Sequence, residues 1–290
     1  MSYVVSPQKK NKSNKKVYII LAILLMFTAL FMAWWLFILS SEPEQQAIEQ
    51  TQVVQEEPAV EEQTETFPDL QPVVDNWVDS HPGTYSVIIT DRTGEILAQS
   101  NPNQVFFAAS LYKLFVAYEG YRKIDDGTYS SGEVLQGGRT VGQCLDVMIR
   151  DSDSPCGEAM MADLGQQYLT EKMEEYGLKN TSLNGIQTTA LDSALILQKI
   201  YGGVGLTAAS REAYLDSMKT QDSEFRRGLP SGFVESAVYN KVGWNLDKEW
   251  HDSAIVELKD GRVIIVSVLT TSAGYRSIAG FGQALEQALQ

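Results

Sequence analysis

The hydrophobic pattern divides the chain into four stretches. Val17 to Leu39 runs 23 residues without a charge. As a helix it would span roughly 34 Å, enough for a hydrocarbon core of about 30 Å. Tyr18 stands near one end and Trp34 and Trp35 toward the other, where interfacial aromatics sit. Residues 17–39 are therefore expected to form one transmembrane helix, preceded by a basic tail at 1–16. A cleaved signal peptide is the competing reading, but its apolar core is usually shorter and no A-x-A-like site follows. Residues 40–66 are rich in Glu, Gln and Pro and predict an acidic, extended linker that cannot bury enough surface to fold.

A globular pattern fills 67–290. Leu70, Val73, Val74 and Trp77 share one face of a short helix. Thr84–Asp91 and Glu95–Ser100 flank Arg-Thr-Gly as a hairpin. Ser110–Ile124 has helical periodicity, and helical patterns continue to about Phe225 between turn signals at Asp126-Gly127, Gly137-Gly138 and Gly202-Gly203. Runs rich in β-branched residues return at Ser236–Gly243, Asp252–Asp260 and Arg262–Thr270, with Asp260-Gly261 as a two-residue hairpin turn. Ala279–Leu289 closes the chain as a helix. The expected fold is α+β: a mixed, mainly antiparallel sheet drawn from both ends (67–109 and 226–290), covered by N- and C-terminal helices, with an all-α unit (110–225) inserted. A cleft is expected where the two units meet.

Charge adds a direction. The formal net charge is −14, which argues against a general affinity for nucleic acid. Lys9, Lys10, Lys12, Lys15 and Lys16 precede the apolar run, which puts the N-terminus in the cytoplasm and the rest outside the cell. The two cysteines, Cys144 and Cys156, and the two histidines, His81 and His251, lack metal-ligand spacing. No metal and no cofactor are expected. The cysteines are compatible with a disulfide in an oxidising compartment or with two buried thiols.

Three short motifs carry chemistry. In Ser110-Leu111-Tyr112-Lys113 a helix would set Lys113 on the face of Ser110. An uncharged lysine amine could then take the serine proton, given a depressed pKa. The backbone N–H of Ser110 could help stabilise an oxyanion. In Asp151-Ser152-Asp153-Ser154-Pro155 a turn serine could relay a proton to a leaving nitrogen. In Asn240-Lys241-Val242-Gly243-Trp244, Lys241 could hold an anionic group and Gly243 could admit a substrate backbone. The N–H of Trp244 could be the second oxyanion donor. Taken singly, each motif also fits a helix cap with a solvated lysine, a capping turn, or a lysine-protected edge strand.

In this order the three resemble the S-x-x-K, S-D-N and K-T-G motifs of penicillin-binding proteins and class A β-lactamases. Phe106–Leu114, Thr188–Leu195 and Phe225–Gly232 resemble neighbouring segments of that family, and the likeness runs from about Thr84 to Leu289. It implies an active-site serine enzyme acting on β-lactams or peptidoglycan stem peptides, with Ser110 as nucleophile, Lys113 as base, and Ser152 and Lys241 on the proton path. It further implies an oxyanion hole from the N–H groups of Ser110 and Trp244, and substrate contacts from Ser154 and Gly243. His251, close in sequence to the third motif, is expected by itself to make a polar contact to the site near Lys241 and to substrate. A monomer is expected.

The departures are specific. Ser154 stands where the family has asparagine, and Val242 replaces the threonine. Tyr176 to Ala190 contains no Asp or Glu, where class A β-lactamases carry the glutamate that activates the deacylating water. Acylation is expected, with slow release of the acyl group. A Ser-His-Asp triad using His251-Asp252 is not expected, because adjacent strand residues point to opposite faces. The alternative from another class is a non-catalytic wall-binding or sensing module that keeps the fold.

Overall fold

The computed structural model describes residues 65–245 and 248–290, together with residues 26, 30–32, 34 and 35, which are helical. The expected membrane span and acidic linker therefore lie for the most part outside the described residues. No described helix is long and apolar enough to cross a membrane.

The central sheet has the order β2-β1-β9-β8-β7, from β1 (Tyr85–Asp91), β2 (Ile96–Ser100), β7 (Ala237–Asn245), β8 (Glu249–Glu257) and β9 (Val263–Thr270). Every pairing in it is antiparallel, so the expected mixed sheet is corrected to a wholly antiparallel one. Both faces are covered, which is why β1 and β9 are buried throughout and read as continuous apolar runs. Alternate residues serve two cores. Val87, Ile89, Ile264, Val266 and Val268 pack with α1 (Gln71–Ser80) and α9 (Tyr275–Leu289), whereas Ile88, Ile265 and Leu269 face the helical unit.

That unit is built around α2 (Tyr112–Asp125). Ten consecutive residues, Tyr112 to Tyr121, are buried in it, so it is the helix the others surround. The hairpin β4 (Val134–Gln136) and β5 (Arg139–Thr140) leads into α3 (Val141–Arg150), capped by a reciprocal Thr140–Gln143 box. Then come α4 (Ser154–Leu164), α5 (Gln166–Glu175), α6 (Ala190–Tyr201) and α7 (Ala208–Lys219). Cys144 of α3 and Cys156 of α4 form a disulfide, which resolves the alternative left open above. The short strands β3 (Phe106–Phe107) and β6 (Gln187–Thr188) pair and lead the chain into the serine turn.

Two boundaries differ from expectation for physical reasons. The β8–β9 connection is a three-residue loop, because Leu258 N–H donates to Arg262 O at 2.8 Å and Gly261 adopts φ +89°. The last helix begins at Tyr275, four residues earlier than its apolar pattern suggests. Gly280 and Gly282 dilute that pattern, and Gly282 serves close packing against α8 (Leu229–Gly232). A Cβ at Gly282 would lie 3.2 Å from Leu229 O, and one at Gly232 would lie 2.3 Å from Ala279 O.

Candidate active site

Ser110 sits in a 3₁₀ turn (Ala109–Leu111) that runs directly into α2. The expected helical spacing is thus met by a tighter turn in which residues three apart eclipse, aligning Ser110 with Lys113. Ala109 holds φ +45°, an unusual conformation for a residue with a side chain. The approach to the turn is fixed by Ala108 N–H donating to Ile186 O at 2.7 Å.

Lys113 is fully buried. Its Nζ lies 3.2 Å from Ser110 Oγ, 3.2 Å from Ser154 Oγ and 2.6 Å from the carbonyl of Ser152. Burial draws its pKa from 10.5 down to about 8, against the opposing charges of Asp153 and Glu158. A substantial neutral fraction near physiological pH is what a base for the serine hydroxyl requires.

Ser152 occupies the turn between α3 and α4 at φ +52°. Such a backbone costs on the order of 1–3 kcal/mol and persists where the surroundings enforce it. Here Asp151 ends α3 and Asp153 caps α4 by accepting Cys156 N–H at 2.8 Å, while the disulfide ties the two helices together. The result points Ser152 O at Lys113 and Ser152 Oγ at Lys241 Nζ, 2.9 Å away.

Lys241 projects from edge strand β7 and has no exposed surface. Nζ donates to Ser152 Oγ and, at 3.0 Å, to Val242 O. Its pKa is held well below the ordinary lysine range by burial and then by Lys113. Buried in this way, the Lys241 amine meets Ser152 Oγ and presents no surface to solvent.

Gly243 is in the expected place with a different reason. A Cβ there would lie 2.5 Å from Ala108 O and 3.0 Å from Leu111 Cβ, so glycine lets β7 close on the serine turn. Trp244 follows at the end of this contact. Its ring packs against Phe225, Trp250 and Tyr275, and its indole Nε1 is buried without a partner among the described residues.

The substrate contact expected of His251 is corrected. The ring is buried; Nδ1 accepts Thr270 N–H at 3.1 Å and Nε2 donates to Phe107 O at 2.9 Å. With both nitrogens engaged by backbone, His251 braces the segment before Ser110 instead of meeting substrate or Lys241. Its pKa falls from 6.5 to about 4 through burial, which fits the neutral tautomer this bonding demands. The adjacent Asp252 is bonded elsewhere, so the two form no triad.

Asp252 and Asn240 take a part beside Lys241 that the sequence did not assign them. Asp252 is fully buried and accepts from Leu229 N–H at 2.7 Å and from Asn240 Nδ2 at 3.0 Å. Asn240 also donates to Phe225 O, and the Phe225 ring lies 5.7 Å from Lys241 Nζ. Burial raises Asp252 from 3.8 to about 7. Among the described residues, no group of three or more His, Cys, Asp or Glu is arranged to hold a metal ion.

The profile of the beta-lactamase enzyme family matches residues 69–288. Among curated proteins, LppW of Mycobacterium tuberculosis, provisionally named a lipoprotein, is 29% identical over 180 residues, covering 56% of this chain and 54% of its own. The Mycobacterium bovis LppW matches at the same level. The chain thus spans about half the length of the curated relatives it matches. Among solved structures, an ancestral class A beta-lactamase aligns with a TM-score of 0.69 at 21% identity over 76% of this chain and 99% of that one. PBP-A aligns at 0.68 and 21%, over 77% and 98%. A beta-lactamase from Chitinophaga pinensis aligns at 0.69 and 16%, over 75% and 98%. These likenesses establish the α+β fold.

Proposed function

Because the chain belongs to the beta-lactamase enzyme family and carries a serine beta-lactamase-like domain, we propose that it is a membrane-anchored, extracytoplasmic serine acyltransferase. Its substrates are β-lactams or peptides ending like D-alanyl-D-alanine. The observation that carries the reading is the buried Lys113 Nζ, 3.2 Å from Ser110 Oγ and with a pKa lowered to about 8.

Neutral Lys113 takes the proton as Ser110 Oγ attacks the substrate carbonyl. The backbone N–H groups of Ser110 and Trp244 receive the oxyanion. Ser152 passes the proton to the leaving nitrogen, and the acyl group stays on Ser110 as an ester. Lys241 tunes Ser152 through the 2.9 Å contact. Ser154, in place of asparagine, accepts from Lys113 and leaves a shorter side chain for the substrate amide.

A penicillin-like substrate is supported by a PBP-A variant solved as its acyl-enzyme complex with penicillin G, with a TM-score of 0.68 to this chain. Anchorage is supported by the uncharged run at 17–39 behind a lysine cluster, and by the lipoprotein name of LppW. Release of the acyl group is slow, since Tyr176–Ala190 offers no carboxylate to activate water.

The test is intact mass spectrometry of the full chain in detergent after incubation with a penicillin. One Ser110-dependent adduct, absent in Ser110→Ala, is the expected result. Neither adduct nor penicillin loss would reject the acyl-transfer reading and leave the non-catalytic wall-binding module, whose affinity for peptidoglycan fragments Ser110→Ala would not change.

A further inference from the structure

Acylation as described leaves an ester on Ser110 and sends the proton out through Ser152. Lys113, whose Nζ lies 3.5 Å from Ser152 Oγ, is then neutral again. It is the one titratable group in contact with Ser110 Oγ among the described residues. Lys113 itself is fully buried, but Ser154 beside it is exposed. Ser154 Oγ lies 3.2 Å from Lys113 Nζ, and its hydroxyl has no other partner among the described residues.

Two features hold Ser154 there. Asp153 fixes the start of α4 by accepting Cys156 N–H at 2.8 Å. A Cβ at Gly157 would lie 2.9 Å from Lys113 Cε, so glycine lets the first turn of α4 rest on the lysine stem. Charged Lys113 donates to Ser154 Oγ. A neutral amine has two hydrogens and one lone pair. Ser152 O, at 2.6 Å, and the ester oxygen of Ser110, at 3.2 Å, take the hydrogens, which leaves the lone pair for the Ser154 hydroxyl. That hydroxyl can accept from a solvent molecule at the same time. Both 3.2 Å contacts meet at one Nζ, so Ser154 Oγ stands at most twice that distance from Ser110 Oγ. One water with hydrogen bonds of about 2.8 Å bridges such a gap.

We propose that the Ser154 hydroxyl relays the proton of the deacylating water to Lys113, which then returns a proton to Ser110. The inference rests on the acyl-transfer reading above and supplies the hydrolytic step that the Tyr176–Ala190 segment leaves without a carboxylate. Water oxygen bonds to the ester carbonyl carbon as its proton passes to Ser154 Oγ and the Ser154 hydroxyl proton passes to Lys113 Nζ. The carbon–Oγ bond of Ser110 then breaks, Lys113 gives a proton to Oγ, and the acyl group leaves as its carboxylic acid. Two protons move together, and only through neutral Lys113, which keeps the step slow. The asparagine that the family carries at this position could hold a water but could not accept one proton while giving up another.

The full chain in detergent would be acylated with benzylpenicillin, freed of excess ligand and followed by intact mass, so that adduct lifetime is read apart from the rate of its formation. In Ser154→Ala and in Ser154→Asn the adduct should persist roughly a hundredfold longer than in wild type, the low end of what a positioned proton carrier contributes. Ser154→Thr keeps the hydroxyl and should stay within a few-fold of the wild-type lifetime. If the wild type consumes penicillin without a lasting adduct, Ser154→Ala and Ser154→Asn should accumulate one. Decay at the wild-type rate in either of these variants, a Ser154→Thr adduct as persistent as that of Ser154→Ala, or a wild-type adduct that never decays overturns the inference and leaves the acyl-transfer reading intact. Wild-type protein that neither forms an adduct nor consumes penicillin overturns both.

Discussion

Lys113 and Lys241 flank Ser152, burial disfavours the charge of both and Lys113 further disfavours that of Lys241, so the site binds fewer protons than two ordinary lysines would. The geometry suits a base that must be neutral to work. Acylation by penicillin should therefore rise with pH and level off above a midpoint near 8, the value to which burial lowers Lys113. Stopped-flow measurement of the acylation rate across pH 6 to 10 would show it. Lys113→Ala should lose about a thousandfold in that rate and with it the midpoint near 8, in keeping with removal of a general base. A wild-type profile flat across that range would exclude Lys113 as the titrating base.

Elements, not single residues, bring the four polar groups together, and the decisive contact is between edge strand β7 and the serine turn. Gly243→Ala places a methyl 2.5 Å from Ala108 O, against backbone that cannot swing aside. The strand must retreat, at about 1–3 kcal/mol of stability, and carry Trp244 and Lys241 with it. The expected outcome is a melting temperature lowered by several degrees and acylation slowed at least about tenfold, the latter readable by mass spectrometry on protein that is still folded. The motif around Gly243 was visible in the sequence, because three residue types at a strand end make a local pattern. The reason for the glycine was not, since Ala108 is 135 positions away. His251 and Asp252 show the same limit. Alternation told that they diverge, but the role of each depends on which strands flank β8 and in what register. Pairing with β9 brings Thr270 N–H to His251, and pairing with β7 brings Asn240 to Asp252. Ser152 lay in a recognisable turn, yet its left-handed backbone carries no sequence mark, for serine seldom adopts it without enforcement.

Across the whole molecule the buried ionisable groups set opposing slopes in stability against pH. Asp252, raised from 3.8 to about 7, holds a proton in the folded state that the unfolded chain has lost, so stability declines as pH rises between those values. His251, lowered from 6.5 to about 4, does the reverse, because the unfolded chain binds more protons from pH 4 to 6.5. The two windows overlap and largely cancel. Between pH 8 and 10.5 the unfolded chain binds more protons at Lys113, and stability climbs by about 3 kcal/mol; Lys241, also lowered, acts in the same direction. Above pH 10 the buried phenols of Tyr112, Tyr121 and Tyr214, all raised, stay protonated in the fold and reverse the slope. Melting temperature should thus be nearly level from pH 4 to 7, rise from 8 to a maximum near 10, and fall beyond it. Asp252→Asn should expose the rise due to His251 between pH 4 and 6.5, and Lys113→Met should flatten the limb above 8. Tryptophan-fluorescence melts of the full chain in detergent at fixed ionic strength measure all three. A wild-type melting temperature that drops between pH 8 and 10 would mean that these lysines are charged in the fold, which removes the neutral amine on which the proposed serine chemistry depends.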